Sequence, residues 1–87
     1  MQDVKEVIGI IMRVLDRAEI AEAEVLDLDF EAEGESLAAL NDAYIKLLEF
    51  AHDRDLRRAN PELDRKERAA LQESLNRIVQ VCGADPH

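Results

Sequence analysis

The chain is 87 residues long, with 20 acidic and 11 basic side chains, a formal net charge of −9 and 47% apolar residues. That apolar share excludes a disordered chain held open by its charge, and the length suits one helical domain spanning residues 1–87 with a modest core of its own. The single cysteine, Cys82, excludes an internal disulfide and a Cys-based zinc site. No apolar run approaches the ~20 residues of a membrane span, and Met1-Gln2-Asp3-Val4-Lys5-Glu6 lacks the basic stretch of a signal peptide. A cytoplasmic protein without membrane contact is therefore expected.

The prolines and two of the three glycines fall between or after apolar-periodic stretches and divide the chain into three segments. In the first, Val4, Val7, Ile8, Ile11, Val14, Leu15 and Ala18 recur at the spacing of one helical face. Asp3 and Glu6 have the spacing of a capping box. Glu22 would land on that apolar face, so the helix is expected to fade near residues 20–24.

The second segment is expected to start at Ser36 as N-cap and to end before Pro61. Leu37, Leu40, Tyr44, Leu47, Leu48 and Ala51 form its main stripe. Ile45 flanks it on one side, and Ala39, Ala43 and Phe50 on the other. So wide an apolar surface predicts the central helix, packed against more than one neighbour. Arg54, Arg57 and Arg58 fall in its last turns, where cations complement the helix dipole.

The third segment opens on Asp64-Arg65-Lys66-Glu67, a second capping-box pattern, and carries Leu71, Leu75, Ile78, Val79 and Cys82 on one face. Gly83 is placed to end it in the left-handed conformation. The fold class expected is all-α, a small three-helix bundle with helices over about 3–23, 36–59 and 65–82. Between the first two, residues 25–34 alternate apolar and acidic, a period-two pattern that predicts an extended acidic connector.

Pairing with a second copy is also expected. Ile10 and Met12 widen the apolar arc of the first helix to about 200°, and Phe50 widens the second, so these three residues are the expected homodimer interface.

The charge is localised. Residues 1–35 hold 11 acidic and 3 basic side chains, and Glu19 to Glu35 contain eight carboxylates and no cation. Such a field repels phosphates, which excludes direct nucleic-acid binding, and favours encounter with a basic protein partner. Asp27, Asp29, Glu31 and Glu33 are the expected partner-binding residues. Extended, they would repeat at roughly 6.5–7 Å, a spacing suited to a mimic of nucleic-acid phosphates that inhibits a DNA- or RNA-binding protein. An ordinary solvated acidic face explains the same residues.

Other motifs are weaker. From Asp29 the D-x-E-x-E-G spacing matches an EF-hand as far as Gly34, but the required acid at the twelfth position is Leu40. Glu49 and His52 form the Glu-x-x-His half-site used by metal-binding bundles, with Glu22 and Asp55 as further carboxylates near the core side. Ala51-His52-Asp53 is similar to the surroundings of a phosphotransfer histidine, but Asp55 and Leu56 stand where lysine and glycine are expected. Ser36 and Ser74 have no nearby His-acid pair, the glycines make no phosphate loop, and Cys82 lies on a core stripe. The reading is a non-enzymatic interaction or regulatory protein without catalytic residues or cofactor, the alternatives being the mimic and a metal-binding bundle using Glu49 and His52.

Overall fold

The computed structural model describes residues 2–16, 19–28 and 32–83. These residues form helices and no strands: α1 (Gln2–Leu15), α2 (Glu22–Leu26), α3 (Gly34–His52), α4 (Arg54–Ala59) and α5 (Pro61–Cys82). The all-α class stands, while two of the three expected helices are each broken in two.

The first break comes earlier than the position of Glu22 suggested. Helix α1 ends at Leu15, with the Asp16 amide donating back to the Met12 and Arg13 carbonyls. Residues 19–21 are not helical, and this departure sends Ile20 into the core while Glu19 reaches toward α4 and α5. Helix α2 takes up Glu22 to Leu26, so Val25 and Leu26 are helical rather than extended. Val25 is wholly buried and anchors this short helix against the core.

The extended connector is thus confined. Asp27 follows α2 in right-handed helical geometry, whereas Glu33 is extended and precedes α3. Asp29 and Glu31 lie outside the described residues. Helix α3 begins at Gly34, whose φ of 61° is readily available only to glycine, so Ser36 falls inside the first turn instead of capping it.

Helix α3 packs against each of the other four helices, as expected of a central element. Its buried residues are Ala39, Leu40, Ala43, Leu47, Phe50 and Ala51. The buried stripe is therefore rotated toward the Ala39–Ala43–Phe50 flank, leaving Tyr44 and Leu48 half-buried and Ile45 exposed. Small side chains at 39 and 43 permit close approach, and α5 is the most extensively packed neighbour. A polar tie crosses the same pair of helices: buried Ser74 donates to Asp42 at 3.0 Å, and Asp42 also pairs with Lys46 at 3.2 Å.

The second break is at Asp53, where ψ reaches 13° and α4 starts one residue later. Pro61 does end the preceding segment, but it also occupies the first turn of α5. The cap is Asn60, whose side-chain oxygen accepts from the amides of Glu62 at 3.1 Å and Leu63 at 3.3 Å. Asp64 is not the cap; it has been recruited into an ion-pair network. Replacing Asn60 with alanine should lower stability by about 1 kcal/mol, read as a loss of several degrees in melting temperature. An unchanged melt would show that Pro61 alone sets the start of α5. At the other end Gly83, at φ 64°, closes the helix in the left-handed conformation that its sequence position predicted.

The core gathers Val7, Ile11 and Val14 of α1 with Ile20, Val25, the α3 face, and Leu71, Leu75 and Ile78 of α5. Ile10 and Phe50 belong to this interior, at 9% and 0% exposure. Two of the three residues expected at a dimer surface are thus covered within one chain. Only Met12 remains exposed, beside Leu15 and Leu75 in a shallow cleft between α1 and α5.

Candidate functional site

Two features converge near the α3–α4 break: a buried arginine cluster and, beside it, an open apolar groove.

The cluster is built on Phe50. The Arg57 guanidinium lies over its ring, 3.4 Å from the centroid, with its side chain 1% exposed. Arg57 Nε and Nη2 donate to the Phe50 carbonyl at 3.0 and 2.7 Å, capping the end of α3 where the helix is interrupted. Its remaining donors hold Glu19 (2.8 and 3.2 Å) and Asp64 (2.9 Å). Arg68 stands 4.9 Å from the same ring, pairs with Asp64 at 2.9 Å and Glu19 at 3.4 Å, and donates to the Val14 carbonyl at the end of α1. Two guanidinium groups therefore cap two helix C-termini over one aromatic ring, and two carboxylates balance them. The bonds with Arg57 hold Glu19 below the usual carboxylate range, and those with Arg68, then Arg57, do the same for Asp64, each against the opposing effect of burial.

A third carboxyl, Glu67, exceeds this balance. Its Oε2 is buried 3.5 Å from Arg57 Nε but accepts no hydrogen bond, because that N–H points to the Phe50 carbonyl. Burial, then a hydrogen bond to Asp53 and the charge of Asp53, push the Glu67 pKa up to about 7; Glu49 adds to the rise and Arg57 opposes it. The proton on this half-buried group is therefore held more tightly than on a carboxyl in water.

The groove lies between α2 and α3. Leu26, Ile45 and Leu48 supply its apolar walls, and Glu22, Glu49, His52 and Asp53 its rim, around a volume of about 350 Å3. Leu26 is 58% exposed and Ile45 54%, the unburied apolar faces of two adjacent helices. His52 Nδ1 lies 2.9 Å from a Glu22 carboxylate oxygen, fastening the start of α2 to the end of α3. That hydrogen bond and the charge of Glu22 raise the His52 pKa above the usual imidazole value.

The structure thus brings Glu49, His52 and Glu22 to one groove, the residues singled out for a metal half-site. His52 engages Glu22, however, and among the described residues no group of three or more His, Cys, Asp and Glu side chains is arranged to hold a metal ion. Leu40, at the twelfth position of the EF-hand spacing, is fully buried. Of the acidic connector residues, Asp27 closes α2 and Glu33 precedes α3, so the alternating extended run does not begin at Asp27. Asp29 and Glu31 fall outside the described residues.

Sequence reasoning missed Arg57 as the centre of a buried cluster and Leu26 as a groove wall. A signal for the first was present: Phe50 and Arg57 are seven residues apart and so fall on the same side of a continuous helix. No family model, curated protein or solved structure matches the chain. Among the described residues no helix is long and apolar enough to cross a membrane.

Proposed function

We propose that the chain is a small acidic, non-enzymatic interaction module that holds an apolar anchor of a protein partner in the α2–α3 groove. The observation that carries this reading is the pair Leu26 and Ile45, two large aliphatic side chains more than half exposed on adjacent walls of one cleft. Leaving both in water forgoes burial worth about 25 cal/mol per Å2 of apolar surface, and exposed apolar clefts rimmed by polar groups mark contact sites. The rim supports binding rather than catalysis. His52 is engaged by Glu22, and among the described residues no serine, threonine, cysteine or lysine lines the cleft beside it. The acidic surface speeds encounter with a partner of opposite charge.

The test is a protein retained by the immobilised chain, purified and titrated against wild type and Ile45→Ser. Ile45 is exposed, so the variant should keep its helical spectrum while affinity falls about tenfold, as for an anchor near the centre of an interface. Amide signals of residues in α2 and α3 should shift on binding. A partner that binds both forms equally, without moving those signals, would place the interaction elsewhere.

A further inference from the structure

We infer that the occupant of the α2–α3 groove is a basic amphipathic helix, its aliphatic stripe against Leu26, Ile45 and Leu48 and its lysines or arginines against Glu22, Glu49 and Asp53. This rests on the groove being an interaction site and names the class of partner.

Both walls are helices, so the groove offers no sheet edge to an extended peptide. A segment that buries an apolar stripe here must satisfy its own backbone groups. A helix does so, and it presents aliphatic side chains at three- and four-residue spacing to a cleft between two other helices. About 14 residues of helix would span ~21 Å, comparable with the 22 Å width of the molecule.

Charge complementarity supplies the second argument. Among the described residues the rim has three carboxylates, Glu22, Glu49 and Asp53, and one basic group, His52, which is taken up by Glu22. Behind the rim stands Glu67, whose carboxyl is held above its ordinary pKa in part by Asp53 and Glu49. Among the described residues no lysine or arginine lines the cleft. An acidic helix would add charge to a crowded negative edge, whereas a basic one relieves it. The net charge of −9 steers the same class of partner at long range.

The experiment compares two stapled 14-residue helical peptides with one leucine stripe, flanked by lysines in the first and by glutamates in the second. Binding to the whole protein is followed by fluorescence anisotropy and by amide shifts. At low salt the lysine peptide should bind at least about tenfold more tightly than its twin, and the advantage should shrink severalfold between 50 and 300 mM salt. Glu49→Gln alone should weaken the lysine peptide about two- to fivefold, and Glu22→Gln with Glu49→Gln should remove most of the difference. Ile45→Ser should weaken the lysine peptide further at every salt concentration. The single Glu49 variant leaves the His52–Glu22 tie in place, which separates loss of charge from loosening of α2.

Equal or tighter binding of the glutamate peptide at the same residues would overturn the charge assignment and leave the interaction module standing. Failure of both peptides overturns the basic-helix inference; the module reading falls with it only if a retained protein partner also ignores Ile45→Ser. A dimer in light scattering that Ile45→Ser returns to monomer would make a second copy the occupant and overturn it equally.

Discussion

Arg57→Met should destabilise the protein by about 3–5 kcal/mol, the range seen when one partner of a buried ionic cluster is removed. A chain of this length has roughly 4–13 kcal/mol in all, so the variant loses a large share of its stability. The effect has three sources. The Phe50 carbonyl at the α3–α4 break loses both of its arginine donors. Glu19 and Asp64 keep only Arg68, and Glu67 loses the one cation that lowers its pKa. The Phe50 ring also loses the guanidinium stacked over it, worth about 2 kcal/mol or more when desolvated. Urea unfolding followed by circular dichroism measures the sum. Arg57→Lys should fall between, because an ammonium keeps the charge but cannot serve the carbonyl and both carboxylates as a planar fork does. A loss below about 1 kcal/mol in Arg57→Met would show that Arg68 alone caps and neutralises the junction.

The second large effect is on pH dependence, through Glu67. The folded protein binds this proton more tightly than the unfolded chain, with a pKa of about 7 against 4.5. The stability it contributes is therefore full below pH 4.5, falls as pH rises and is gone above pH 7. Glu19, Asp42 and Asp64 act in the opposite direction: their lowered values give stability that is lost as pH falls below about 4. The protein should thus be most stable near pH 4–5 and lose on the order of 2 kcal/mol by pH 8. In Glu67→Gln the side chain retains a donor for Asp53 and carries no charge. That variant should melt on the order of 10 °C higher than wild type at pH 8, with little difference at pH 4.5. Parallel melting curves across this range would mean that the third carboxyl ionises without cost.

That arrangement follows from charge counting across distant elements. Two guanidinium groups face three carboxyls around the buried Arg57, and only Glu19 and Asp64 accept hydrogen bonds from them. The proton on Glu67 is the least costly way to balance the set. Phe50 joins the cluster because its ring offers a face to cations and its carbonyl sits at a helix end. A residue that reads from the sequence as surplus apolar surface is for this reason at the centre of the core.

The interaction reading and the arginine cluster meet at Asp53. It ends α3, lines the groove and is one of the groups that raise the Glu67 pKa. A cation docking at the groove rim would favour the ionised form of Glu67. Partner binding and the protonation of Glu67 should therefore be linked.

Local periodicity, with the glycine after Cys82, determined without the structure that the chain is helical, that the segment after Gly34 is the central helix, and that α5 stops at Gly83 with Leu71, Leu75 and Ile78 inward. These properties depend on residues within a turn or two of one another, and the sequence displays them directly. The expected N-caps at Asp3, Ser36 and Asp64 did not hold. Only the tertiary structure decided where the long segments break and which flank of α3 is buried. The break after Leu15 sends Ile20 inward and lets Glu19 reach Arg57, 38 residues away; the break at Asp53 aims Arg57 back over Phe50. A helical wheel gives the width of an apolar face but not the neighbour that covers it, so Phe50 and Ile10 went inside while Ile45 and Leu26 stayed out. The buried cluster overrides local helical preference because its charged hydrogen bonds and core packing each outweigh the few tenths of a kcal/mol by which one residue favours the helix.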